Sequence, residues 1–201
     1  MRILFGMIVL FVLSGCSTLA SKTDVGGSHG GEGKLLLTSM VDGGVVPALD
    51  GVVVSLRPVE IPDYVDRSEL VRRGGRGVIV TESPVWGESL NRGINRVTEI
   101  NLAYLLGSAR VVGDDSYRQF RGGFILKTQL FRLDAEGDFL VLEGRWHILR
   151  DRNQPPVLSR WYRHRESLEG DRSMGGQALA MSRALMAMNR EQVRDIEGLL
   201  K

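Results

Sequence analysis

Residues 124–149 read FILKTQLFRL, then DAEGD, then FLVLEGRWHIL: two apolar-rich arms, Phe124–Leu133 and Phe139–Leu149, around the polar connection Asp134-Ala135-Glu136-Gly137-Asp138. In the second arm Leu140, Leu142, Trp146 and Ile148 alternate with Glu143, Arg145 and His147. A period of two with one apolar face describes a half-buried antiparallel strand. The arms therefore predict a hairpin with a five-residue connection. A third strand, Val157–His164, follows the turn signal Asn153-Gln154-Pro155-Pro156.

Upstream, Leu35-Leu36-Leu37, Val52–Leu56, Gly77–Thr81 and Ala109–Val112 read as short strands, with a turn at Asp42-Gly43-Gly44. Gly74-Gly75-Arg76-Gly77 is glycine-rich, but a phosphate-cradling loop follows a strand and opens a helix. Here the order is reversed, so the stretch reads as a turn. Glu88–Leu106 is a helix, with Leu90, Ile94, Val97, Asn101 and Leu105 at helical spacing and Gly107 as its stop. Gly176–Leu200 is a second, its stripe Ser182, Leu185, Asn189, Val193, Ile196 and Leu200 broadened by Met181, Met186 and Met188. Core packing is the commoner use of such methionines, an adaptable binding surface the rarer one. This order predicts an α+β domain over residues 34–201, a mainly antiparallel sheet with two long helices packed on one face.

The composition is that of a globular chain: 201 residues, 43% hydrophobic, 25% charged. A net charge of +2 gives no overall pull toward nucleic acid, and the single cysteine rules out an internal disulfide or a multi-cysteine metal site. That cysteine lies behind a leader. Arg2 precedes Ile3–Val12, ten residues apolar except for Gly6, and then Leu13-Ser14-Gly15-Cys16. Ten helical residues span about 15 Å, roughly half a hydrocarbon core, so the segment is a signal peptide (residues 1–15) and not a span. Leu-Ser-Gly-Cys resembles the bacterial lipobox, which makes Cys16 the acylation site. Two or three acyl chains, at about 0.8 kcal/mol per buried CH₂, anchor a protein durably. Ser17 stands where aspartate retains such lipoproteins in the inner membrane, so the expected location is the outer membrane, periplasmic face. Residues 16–33, with Gly26, Gly27, Gly30, Gly31 and Gly33, read as a flexible tether with a span of roughly 20–25 Å, and His29 within it as a solvated residue.

No active site is legible. Gly87-Glu88-Ser89-Leu90-Asn91 is half a nucleophile elbow, broken by Asn91, and Ser89 suits a helix cap better. His147, His164 and Glu143 on neighbouring strands could form a metal triad, but histidines on an exposed sheet face are ordinarily just that, and no metal is expected. Asp114-Asp115 follow Gly113 in a turn. One charge feature stands out: six arginines (145, 150, 152, 160, 163, 165) against Asp151 alone, interleaved with Trp146, Trp161 and Tyr162. In an exported lipoprotein this rules out nucleic acid as the ordinary ligand. It leaves an anionic partner patch of Arg145, Arg150, Arg160, Arg163 and Arg165, or a solvated face with cross-strand pairs.

Val59-Glu60-Ile61-Pro62-Asp63-Tyr64-Val65-Asp66-Arg67 resembles the opening signature of the PqiC-type, ABC-type transport auxiliary lipoproteins. Trp86-Gly87-Glu88-Ser89-Leu90 resembles their first helix start, Val141–Trp146 their central strand and Ala180–Leu185 their last helix. Gly87 replaces the usual alanine, and Met174-Gly175-Gly176 stands where a tyrosine-containing helix start is common. The resemblance implies a non-enzymatic outer-membrane component of a lipid transport system. Its partners would be an inner-membrane MCE-domain protein and outer-membrane lipid, and it would assemble as a homo-oligomeric ring. It carries over Cys16 alone as a functional residue, with no cofactor beyond the covalent lipid. The rival expectation is a freestanding lipoprotein that binds peptidoglycan or a lipid.

Overall fold

The computed structural model describes residues 33–41, 53–82, 85–107, 111–113 and 123–201. The signal segment, Cys16, the tether with His29, the Asp42-Gly43-Gly44 turn and Asp114-Asp115 lie outside these residues. The chain runs β1 (Val54–Leu56), β2 (Val71–Gly74), β3 (Gly77–Val80), α1 (Leu90–Leu105), β4 (Val111–Gly113), β5 (Phe124–Glu136), β6 (Phe139–Leu149), β7 (Leu158–Ser167) and α2 (Met174–Gly198). The architecture is α+β, as the periodicities predict.

β5 organises the sheet. Along one edge it pairs antiparallel with β6, and β6 with β7. The other edge is shared end to end. β1 runs parallel along Phe124–Leu126, the Glu60–Gln129 bridge follows, and β2 runs parallel along Ala135–Glu136. β4 lies outside β1 and β3 outside β2. The long ladders are antiparallel and the short ones from β1 and β2 parallel, so the sheet is mixed. The β1–β4 pair is parallel because α1 supplies the crossover such strands require. Leu35-Leu36-Leu37 contributes a single bridge, Leu35 to Trp86, and no strand. Gly75 and Arg76 turn between β2 and β3, and Gly75 takes φ +53°, which favours glycine.

The central hairpin is longer than its polar connection suggests. Pairing continues to Glu136–Phe139, and the turn shrinks to Gly137-Asp138, with Gly137 at φ +60°. A bulge between Leu130 and Arg132 shifts the phase of β5. Phe131 is the added residue, so Leu133 and Ala135 return to the buried face while Arg132 and Asp134 turn outward. Opposite the bulge, a Cβ on Gly144 would lie 2.7 Å from the Gln129 carbonyl oxygen and 2.9 Å from Leu130 Cδ2. Backbone cannot yield as a side-chain tip can. We expect Gly144→Ala to cost about 1–3 kcal/mol in urea melts, and an unchanged midpoint would contradict this packing.

α1 begins at its Ser89 cap, whose hydroxyl accepts from Arg92 N at 3.4 Å, and buries Leu90, Ile94, Val97, Asn101 and Leu102. α2 begins at Met174, two residues ahead of Gly176, because Ser173 Oγ accepts from Gly176 N at 3.1 Å. It packs on β5, β6 and β7 and against α1. Leu200 falls beyond its end and is exposed. A polar seam threads this core. Ser39 Oγ donates to Asn101 Oδ1 (2.6 Å), and Asn101 Nδ2 to Asn189 Oδ1 (2.9 Å). Asn189 Nδ2 donates to Gln192 Oε1 (2.9 Å), and Gln192 Nε2 to Thr128 Oγ1 (2.9 Å). The chain of bonds runs from Ser39 through Asn101 on α1 and Asn189 and Gln192 on α2 to Thr128 on β5, and such a chain fixes helix register more sharply than apolar contacts do.

Candidate interaction face

Strand alternation divides the arginines read as one patch. On β7 the even residues Arg160, Tyr162, His164 and Glu166 face α2, and the odd residues Trp161, Arg163 and Arg165 face outward. Arg160 Nη2 lies 2.6 Å from Asp195 Oδ1 on α2, with Glu191 at 3.6 Å. Arg150 covers the Phe124 ring at 4.7 Å and donates to the Leu199 carbonyl. Arg145, Arg163 and Arg165 share the outer face. Arg163 Nε is 3.1 Å from Glu143, and Arg165 lies over Phe139 at 4.1 Å. Thus three of the five expected patch residues share one surface, while Arg160 and Arg150 are tied to α2 and its end.

The proposed triad is divided in the same way. His147 and Glu143 project outward, whereas His164 faces α2, stacked on Tyr162 and 2.8 Å from Glu166 Oε2. His147 Nδ1 meets Ser159 Oγ at 2.7 Å. Burial, then the charges of Arg145 and Lys127, lowers its pKa, so the ring is neutral at neutral pH. Among the described residues no group of three His, Cys, Asp or Glu side chains could hold a metal.

Where β2 joins β5, a carboxylate is buried on the outer face. Asp134, with no exposed side-chain surface, accepts from Tyr64 OH (2.7 Å), Arg73 Nη2 (2.8 Å) and Arg132 Nε (2.9 Å). Burial alone would raise its pKa. The hydrogen bonds from Arg73, Tyr64 and Arg132 outweigh burial and hold it below the usual carboxylate range. Tyr64 is pushed up to about 12, by burial first and then by its bond to Asp134. This gives the Ile61-Pro62-Asp63-Tyr64 stretch a role. Val65 N closes a turn on the Pro62 carbonyl (3.0 Å), and the turn delivers Tyr64 to Asp134. No local signal marks Asp134, which reads as a loop residue until β2 and Tyr64 cover it.

Beside this hub lies an aromatic platform. Phe131 and Trp161 stack at 5.1 Å, and the Arg145 guanidinium lies 5.5 Å from each ring while donating to Gln129 Oε1 (3.0 Å). Trp161 is 71% exposed, and a hollow of about 370 Å³ adjoins it, lined by Phe131, Glu143, Trp161, Tyr162 and Arg163. A larger cleft, about 570 Å³, runs between α1 and the β1–β5 edge. The amides on its wall are engaged structurally: Asn95 Oδ1 accepts from Val59 N (2.7 Å) and Asn91 Nδ2 donates to Val59 O (3.2 Å).

Residues 35–192 match the model of the ABC-type transport auxiliary lipoprotein component. The chain belongs to that family. Among solved structures, protein XCC0632 from Xanthomonas campestris aligns with TM-score 0.64 at 15% identity, over 79% of this chain and 90% of that one. An uncharacterized protein aligns with TM-score 0.59 at 15% identity, over 75% and 94%. At these identities the likeness is one of fold. The PelC dodecamer of Paraburkholderia phytofirmans aligns with TM-score 0.40 at 18% identity, over 71% and 89%, too low to support an argument. No curated protein matches the chain.

The motifs that suggested the auxiliary lipoprotein family occupy packing positions here. Gly87 sits where a Cβ would come within 3.1 Å of Lys34 Cβ, and Gly87 N donates to Leu35 O (2.8 Å). Glu88 pairs with Arg96 at 2.6 Å, and Arg96 Nη2 reaches the Leu37 carbonyl (2.8 Å). Trp146, from the central-strand motif, is fully buried.

Proposed function

We propose that this transport auxiliary lipoprotein is a non-enzymatic docking component of an MCE-type lipid transport system. A lipid on Cys16 anchors it to the periplasmic face of the outer membrane, where it forms a homo-oligomeric ring that receives the inner-membrane MCE-domain protein. The family match over residues 35–192 carries the reading, and the Leu13-Ser14-Gly15-Cys16 box ahead of it supports the anchor. Ser17 favours outer-membrane sorting. Ser89, His147 and His164 hold structural contacts: Ser89 caps α1, His147 meets Ser159 and His164 meets Glu166.

An affinity pull-down of the C-terminally tagged protein from cross-linked envelopes, read by mass spectrometry, tests this. The expected result is an MCE-domain protein among the cross-linked partners. Recovery of peptidoglycan fragments or unrelated outer-membrane proteins alone would support a freestanding binding lipoprotein instead. In the same cells Cys16→Ala should leave the outer-membrane fraction and keep its signal segment. Unchanged fractionation would refute the anchor.

A further inference from the structure

We propose that β7 is a docking edge for an extended, acidic segment of a partner protein, which adds to the sheet as a further strand and seats an apolar side chain on Trp161. The inference is independent of which transport system the protein serves. Among the described residues β7 pairs with β6 alone, which leaves one row of its backbone groups for another strand. Its outward row is Ser159, Trp161, Arg163, Arg165 and Ser167, without an acid. With Arg145 that face carries three guanidinium groups against Glu143, which Arg132 also approaches at 4.0 Å. A second β7 would bring like charges opposite one another, whereas carboxylates opposite Arg163 and Arg165 complement them.

Trp161 supplies the anchor. It is the exposed one of the three tryptophans, Trp86 and Trp146 being buried. Its ring is held in place by Phe131 and Arg145, so seating a partner on it costs little side-chain ordering. Exposed yet pre-organised Trp with flanking Arg is the composition of interface hot spots. Trp161, Arg163 and Arg165 recur at every second residue, the side-chain repeat of a strand laid alongside. A glycan or a lipid headgroup makes no use of that repeat or of the open backbone edge.

The test uses the mature lipoprotein in detergent and two synthetic peptides with Thr at every other position, whose intervening residues, all on one face of a strand, are Val, Glu and Glu in one and Val, Lys and Lys in the other. The acidic peptide should shift Trp161 emission to the blue and bind about tenfold more tightly than the basic one. N-methylation of all its amides should abolish binding, because neither edge of the peptide then keeps an N–H to pair with β7. With a dye-labelled peptide read by anisotropy, Trp161→Ala should weaken binding about tenfold, and Trp161→Phe should restore most of it. Arg163→Glu combined with Arg165→Glu should invert the preference toward the basic peptide in a protein that still folds, with a modestly lower melting temperature because Arg163→Glu sets a carboxylate across from Glu143. Equal binding of the two peptides, indifference to N-methylation, or no effect of Trp161→Ala would overturn the proposal. So would an emission shift produced by phosphatidylglycerol vesicles or peptidoglycan fragments and by neither peptide.

Discussion

Asp134→Asn should lower folding stability by about 3 kcal/mol, the largest effect we expect from a single polar atom change in this protein. Three donors converge on a carboxylate with no exposed surface, and Arg132 is itself 14% exposed. Removing one partner of a buried ion pair typically costs about 3–5 kcal/mol, because the remaining charge stays desolvated. We take the lower end since a third of Arg73 reaches solvent. At about 2–4 °C per kcal/mol for a chain of this size, the melting temperature should fall by about 6–12 °C. Tyr64→Phe, which deletes one donor, should cost about 1 kcal/mol. A melt of Asp134→Asn indistinguishable from the parent protein would refute the hub.

The pH dependence follows with a definite sign. Asp134 has a folded pKa below its unfolded value, so its contribution is complete above about pH 4 and is lost as the pH falls through the folded pKa. The stability gap between the parent protein and Asp134→Asn should therefore be widest near neutrality and close in urea melts at acid pH. A gap that widened toward acid would contradict the assignment. Tyr64 acts at the other end. Its raised pKa keeps the phenol's contribution whole up to about pH 10 and loses it between there and about 12.

The second large effect is expected at Trp146, the largest of the fully buried side chains. It packs against Tyr162 at 5.5 Å and donates Nε1–H to Asp195 Oδ2 at 2.9 Å, joining the sheet to α2. Trp146→Ala should cost about 3–5 kcal/mol by chemical denaturation, through the lost transfer energy and the cavity left behind. Trp146→Phe separates volume from hydrogen bonding. It retains most of the ring but leaves one Asp195 oxygen without its donor, while Arg160 still holds the other at 2.6 Å. That variant should cost about 1–3 kcal/mol. If Trp146→Phe proved as damaging as Trp146→Ala, the hydrogen bond and not the packing would dominate the site.

Much of this architecture was readable residue by residue. Alternation in Leu140, Leu142, Trp146 and Ile148 identified a strand with one buried face, and helical spacing identified Ile94, Val97, Leu185 and Ile196 as core. Ser89 was legible as a cap, since its type and position before an apolar stripe are a local signal. The lipobox and the four ordered motifs named the family that the match over residues 35–192 establishes. The interaction face was legible only as composition. The excess of arginine and the interleaved Trp161 are visible in the sequence, but Phe131 and Asp134 are not, and composition does not separate Arg160 from residues on the opposite face.

The division between these two kinds of information has a physical cause. Periodicity and capping are properties of neighbours in the chain, so the long helices, the central hairpin and their apolar faces are legible in residue order, whereas β2 and the strand character of Asp134–Glu136 are not. Which side of a strand meets solvent depends on what lies across it. One inserted residue at Phe131 reversed the phase of half of β5, and a polar Asp-Ala-Glu run became paired strand. Asp134 is buried because β2 and the Tyr64 turn arrive from some 60 or 70 residues upstream. Arg160 faces inward because α2 brings Asp195 to it from 35 residues beyond, whereas Trp161 and Arg163, one and three positions along the same strand, face outward. No residue's neighbours in the chain encode those encounters, and only the folded sheet decides them.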